Sequence, residues 1–227
     1  MRWVATFLVL FSSAALAHGG EEQVALSGQM AAAGYGFAAL VVLGTYFVYF
    51  GNRMKQAGKK VAFLLMAGIA VGVTGYIIIT TVLLNASSAT GGPVHWHADF
   101  EIWACGERVV IKEPEGLSNK VGTNLMHHHN DNRIHVEGVL LEKEDASLGA
   151  FFEASGGTFN EHELSVIVKD GTLKTWRNGD TCPDGTVGHV QLFVNDEPNT
   201  EYGAHVIAPY ARAPPGDVLK IVFGRAP

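Results

Sequence analysis

Two apolar runs with no charge in their interior constrain this chain more than any other feature: QMAAAGYGFAALVVLGTYFVYFGN, 29–52, and KVAFLLMAGIAVGVTGYIIITTVLLN, 60–85. Each is longer than the roughly 20 residues a helix needs to cross a hydrocarbon core. A backbone in lipid must satisfy its own polar groups, so both runs are expected to be helices. Between them, RMKQAGKK carries Arg53, Lys55, Lys59 and Lys60 and no acid, the bias of a cytoplasmic loop. Both ends of this hairpin are then expected outside. Gly68, Gly72 and Gly75 in the second run, with Ala31 to Gly36 in the first, supply small residues for close helix approach.

The opening MRWVATFLVLFSSAALA has one positive charge at Arg2, an apolar run from Val4 to Leu10 and a small-residue end at Ala15-Leu16-Ala17. It reads as a secretory signal peptide, with an uncleaved first membrane helix as the alternative. The expected organisation is a signal over 1–17, a short extracytoplasmic N-terminus over 18–28, and a transmembrane hairpin over 29–85 with its cytoplasmic loop at 53–60. A linker over 86–94 and a C-terminal domain over 95–227 follow. The linker, ASSATGGP, has the small, polar composition of a flexible tether. The chain is thus expected in the cell (inner) membrane as a multi-pass protein, its C-terminal domain on the periplasmic or extracellular side.

In the last 130 or so residues, enough for one core, period-two alternation recurs in HWHADFEIWA, ERVVIK, RIHVEG, LSVIVKD, VQLFVND and DVLKIVFG. DASLGAFFEASGG breaks it: Leu148, Phe151 and Phe152 fall at helical spacing behind a cap at Asp145 or Ser147, and glycines stop the run. The fold class expected is α+β, a helical hairpin followed by a mainly β domain of β-grasp-like roll type, with a small β-sandwich as the alternative. The net charge is −6, and no basic surface beyond the loop recommends nucleic acid as a partner.

Ten histidines serve the chain, and four of them with a glutamate lie in MHHHNDNRIHVEG, 126–138. Residues two apart on a strand share a face. His95 and His97 then form one pair, His127 and His129 a second if their segment is extended, and His135 with Glu137 a third, while His128 points away. A metal site needs three or four donors from separate segments, and imidazole is a common donor. If the strands are neighbours, these six residues are a candidate metal-ligand set. A pH-responsive cluster is the alternative. Asp99 and Glu101 continue the face of His95 and His97; His162 and His205 lack a partner at ligand spacing, and His189 joins only if its strand borders the site.

Nitrogen donors with a carboxylate suit copper, with zinc as the alternative, and Met126 offers a soft donor for Cu(I). The blue-copper pattern of a cysteine closely followed by histidine and methionine is missing. If cleavage follows Ala17, His18 becomes a terminal residue whose amine and imidazole can chelate together. Cys105 and Cys182, both in the domain expected outside, fit one disulfide, with free thiols as the alternative. No GxSxG, HExxH or phosphate loop is present, so the enzyme reading is the weaker one. Glu137 beside His135 suits either a general base or a partner that orients the histidine.

The motifs HWHADFEIWACGERVVI, MHHHNDNRIHVEG, SLGAFFEASGG, LFVNDEPN and DVLKIVFG resemble, in order, a poorly characterised family of extracytoplasmic bacterial and archaeal domains. That family has an HxH strand, an HTHD-like segment leading into IHIE, an LGxFF helix and a VNG hairpin. The resemblance covers residues 95–224 and implies the fold and the histidine site rather than an activity. The HTHD position reads His127-His128-His129-Asn130 here, with Asp131 displaced by one. The function expected is a membrane-anchored, extracytoplasmic metal-binding protein acting in metal acquisition, delivery or assembly of a membrane complex. The alternatives are a metalloenzyme with a histidine-rich site and an accessory subunit of a membrane complex. The partners expected are the lipid bilayer, other membrane-complex subunits and a metal-receiving protein.

Overall fold

A computed structural model describes residues 20–129, 131–207 and 216–225. The signal over 1–17 and His18 lie outside the described residues. Two long apolar helices come first, α1 (Gly20–Phe50) and α2 (Gln56–Ser87), joined by a 3-10 turn at Gly51–Arg53. Helix α1 begins at Gly20 rather than at Gln29. The loop expected over 53–60 shrinks to its first residues, because Lys59 and Lys60 lie within α2.

The helices meet along Val73, Tyr76 and Thr80, which recur at helical spacing. A Cβ on Gly36 would lie 2.6 Å from Val73 Cγ2, and one on Gly28 3.0 Å from Tyr76 Oη. Gln29 Nε2 donates to Thr80 Oγ1 at 2.8 Å and to Thr81 Oγ1 at 3.1 Å. Gly68, Gly72 and Gly75 do not serve this seam. They fall at other helical phases, and a Cβ on any of them would meet nothing within 4 Å.

The β domain follows as β1 (Val94–Ala104), β2 (Glu107–Val109), β3 (Val121–Gly122), β4 (Met126–His128) and β5 (Arg133–Gly138). Next come a 3-10 turn (Lys143–Ala146), α3 (Leu148–Ala154), β6 (Thr158–Phe159), β7 (Glu163–Ile167), β8 (Leu173–Arg177), β9 (His189–Val194), β10 (Glu197–Asn199) and β11 (Asp217–Gly224). The large sheet runs β10-β9-β11-β1-β5-β4-β3, with β2 also on β1, and β6-β7-β8 form a second sheet. Strands β1 and β11 are parallel, and β1–β5, β4–β5 and β9–β11 are antiparallel. Two apolar helices followed by a mixed-sheet β domain make an α+β layout.

Alternation decides the faces. Ala98, Phe100, Ile102 and Ala104 of β1, Ile134 and Val136 of β5, and Leu219, Ile221 and Phe223 of β11 are buried on the inner side. Helix α3 covers that side with Leu148, Phe151 and Phe152. Its N-cap is Ser147, whose Oγ accepts from the Ala150 amide at 3.3 Å, while Asp145 lies inside the preceding 3-10 turn and accepts from the amide of that turn's N-cap, Glu142. At the helix stop, Gly157 is required for space, since a Cβ there would sit 2.1 Å from the Ser165 carbonyl oxygen.

The tether is not loose. The Ala89 amide donates to the Leu140 carbonyl at 2.9 Å and the Ser88 hydroxyl to the same oxygen at 3.0 Å, while Thr90 Oγ1 donates to the Gly92 carbonyl at 2.7 Å. Short hydroxyl side chains that suggest a flexible linker by composition also bond readily to nearby backbone, and here they fasten the chain beside the end of β5. Cys105 and Cys182 form a disulfide with Cα atoms 5.5 Å apart, and no cysteine is free. Asn195 and Asp196, both at positive φ, make the two-residue turn of the β9–β10 hairpin.

Candidate metal centre

The site lies on the outer face of the large sheet, where β1, β5 and β4 are neighbours. Register places His97 opposite His135 and His135 opposite His127, so three imidazoles form a row across three strands. His95 pairs with Glu137 in the next row. His129, just past β4, folds back onto the same face. The His97 and His135 rings are 4.6 Å apart, those of His129 and His135 4.7 Å, and those of His127 and His135 stack at 5.5 Å. All six expected residues, His95, His97, His127, His129, His135 and Glu137, converge.

Glu137 spans the group. Its Oε1 is 3.1 Å from His95 Nε2 and 3.8 Å from His135 Nδ1, and its Oε2 is 4.0 Å from His127 Nε2. His95 Nε2 and His97 Nε2 are 3.1 Å apart. Asp131, which the sequence leaves without a role, accepts a hydrogen bond from His135 Nε2 at 3.0 Å. The one-residue displacement in the HTHD-like segment is therefore absorbed by the turn before β5. Proton positions follow from these partners. His135 gives its Nε2 proton to Asp131 and keeps a lone pair on Nδ1; His129 gives its Nδ1 proton to the Asn119 carbonyl and keeps one on Nε2. The buried Nδ1 atoms of His127 and His135 have no hydrogen-bond partner, a costly arrangement; an ion taking the His135 Nδ1 lone pair would relieve it there, whereas His127 turns its Nε2 towards Glu137.

Burial pushes the His127 imidazole down to about 4, helped by the nearby Lys120 charge and opposed by Glu137. Burial also lowers His97, with His135 and His95 adding repulsion. For Asp131, burial works upward, but the hydrogen bonds from His135 and the Arg133 amide outweigh it and hold the carboxyl below its usual range. Neutral imidazoles beside an ionised carboxylate are what a cation requires.

Ligand atoms of His95, His97 and His135 lie within 4.8 Å of one another, and so do those of His127, His129 and His135. Nitrogens bound to one ion at about 2.0–2.1 Å stand roughly 3.3 Å apart in a tetrahedral set. Either triad therefore needs side-chain movements of about an ångström to close on an ion.

Other expectations are corrected. Met126 is 2% exposed and belongs to the inner face with His128, so it offers no soft donor to the site. His128, as expected, points away, and it packs edge-on against Phe100 and Phe151. Asp99 is taken up by Arg133 Nε at 2.7 Å and Glu101 faces Lys220 at 3.6 Å, so neither joins the cluster. His189 is on β9, separated from β5 by β11 and β1, and His162 is paired with its neighbour Glu161.

His205 is held between Asp217 Oδ2 at 3.3 Å and Glu201 Oε2 at 3.2 Å. The Asp217 hydrogen bond raises its pKa; burial opposes and Glu201 assists. A raised histidine stabilises the fold fully below its unfolded value near 6.5, and the contribution is lost as pH rises through the folded value. The stability difference between the wild-type chain and His205→Gln, measured by unfolding in detergent, is accordingly expected to be larger at pH 5.5 than at pH 9.

No family model matches the chain, and no curated protein or solved structure matches it at a significant level.

Proposed function

We infer that this is a membrane-anchored, extracytoplasmic metal-binding protein that takes up copper and passes it on to a membrane partner. The observation that carries this reading is the convergence of five imidazoles and Glu137 on one sheet face, with buried ring nitrogens left without partners. Copper is favoured over zinc because a given set of nitrogen and oxygen donors binds divalent copper more tightly than zinc, and no thiol enters the set, both being consumed in the disulfide.

The apolar side chains of the hairpin support membrane crossing: Phe37 is 70% exposed, Val48 77% and Val71 72%, a surface that lipid would cover. The basic residues at the turn support a cytoplasmic loop, and the disulfide supports an extracytoplasmic β domain. A removed signal over 1–17 fits the same topology. Parallel β1 and β11 within the large sheet, with α3 across one face, support a β-grasp-like roll and with it the resemblance of residues 95–224 to the extracytoplasmic family. His95 follows the end of α2 by eight residues, a reach of at most about 28 Å, which suits transfer to a subunit in the same membrane.

Elemental analysis of the purified full chain in detergent tests the reading. Stoichiometric copper is expected at pH 7.5 and is expected to fall away in acid as the imidazoles that hold it take up protons; burial, which pushes His127 down to about 4 and also lowers His97, delays that loss. Absence of stoichiometric metal at pH 7.5 would contradict it. One observation favours a metalloenzyme as a second reading: each ligand group is a triad of histidines with Glu137 beside it, and an ion held by three protein ligands would have a further position for water or substrate. Turnover of ester or peptide substrates by the loaded chain, abolished in Glu137→Gln with metal still bound, would support that reading.

A further inference from the structure

The outer face carries two overlapping triads with one member in common. They differ in access, since the His95 side chain is 64% exposed and that of His127 2%. Glu137 reaches towards both, one oxygen on His95 and the other on His127. His135 has a single nitrogen to give, because the other donates to Asp131 at 3.0 Å. One lone pair serves one ion at a time, so the two triads cannot both be filled through His135.

We propose that the triads are two stations for a single ion, an outer loading station of His95 and His97 and an inner holding station of His127 and His129, with His135 and Glu137 common to both. This rests on the metal-binding reading above. Movement between stations is ligand exchange without change of oxidation state: two imidazole nitrogens leave the ion as two others arrive, while His135 and Glu137 keep their hold. The ion is never stripped of protein donors, so the barrier stays below that of release into water. Exposure at the outer station gives access, and burial at the inner one gives retention. The arrangement suits a protein that must accept an ion from solution and surrender it only through a defined exit.

Two double variants separate the roles, because a gate alters rates and a binding site alters equilibrium. The full chain in detergent is loaded with Cu2+ alone and challenged with a chromophoric chelator. One ion per wild-type chain is expected. His95→Ala with His97→Ala slows loading and release alike by about tenfold or more, and leaves affinity within about threefold. His127→Ala with His129→Ala lowers affinity by at least the roughly tenfold that loss of a mere outer partner costs, with loading rate little changed. His129→Ala alone, at a part-exposed position, gives the same direction should the double variant misfold. Two ions per chain, or equal affinity losses in the two double variants, would overturn the two-station proposal while leaving the metal-binding reading intact. No stoichiometric copper on the wild-type chain would overturn both.

Discussion

Replacing His135 with alanine is expected to abolish stoichiometric metal binding, whereas replacing Asp131 with asparagine only weakens it. His135 stands in the middle strand of the cluster, directly opposite His97 on one side and His127 on the other. It belongs to both triads, so no arrangement of three histidines drawn from them survives without it. Asp131 acts through His135, accepting its Nε2 proton and fixing which nitrogen faces the ion. Loss of such an outer partner costs about 10–100-fold in affinity, and loss of the shared ligand should exceed that range. The His135 side chain lies on the outer face, and its removal leaves Ile134 and Val136 buried as before. Competition titration against a chelator, with circular dichroism to verify the fold, measures both variants. Equal losses in the two would contradict the shared-ligand geometry.

The second large effect concerns stability. Joining Cys105 to Cys182 closes a loop with a sequence separation of 77 residues, worth on the order of 4 kcal/mol in the chain-entropy model. The bridge ties the β1–β2 turn to the segment before β9, two parts of the domain that no strand pairing joins directly to each other. Cys105→Ser with Cys182→Ser is expected to lower the unfolding free energy by several kcal/mol, read as a downshift of the denaturation midpoint. An unchanged midpoint would mean that the unfolded chain is already restricted there. The metal-ligand row should remain formed in whatever fraction stays folded, since β1, β5 and β4 are paired independently of the bridge.

Period two made much of the site readable. The pairs His95/His97, His127/His129 and His135/Glu137 follow from alternation alone, as does the inward direction of His128. The same parity places Met126 on the inner face with His128, which excludes it as a soft donor; its apolar, polarisable side chain fills the core instead. Alternation says nothing of which strands are neighbours, and convergence depends on β1 pairing with β5, some 40 residues on in the chain. Asp131 lies in a turn, where no periodicity assigns a direction, so its bond to His135 had no signal beyond the acidic residue in the HTHD-like segment. The short strands β3, β6 and β10 escaped because two or three residues carry no pattern. In the hairpin, small residues marked Gly36 correctly as a contact, but Gly68, Gly72 and Gly75 sit off the seam. Glycine shows where a close approach is allowed, whereas Val73, Tyr76 and Thr80 determine where it occurs.

The central claim is that these histidines surround one ion. X-ray absorption of the copper-loaded full chain tests it most directly. The spectrum is expected to show three or four nitrogen or oxygen scatterers at about 2.0 Å, with the outer-shell pattern of imidazole rings and no sulfur near 2.3 Å. A sulfur shell, or a hydrated ion without imidazole scattering, would contradict it.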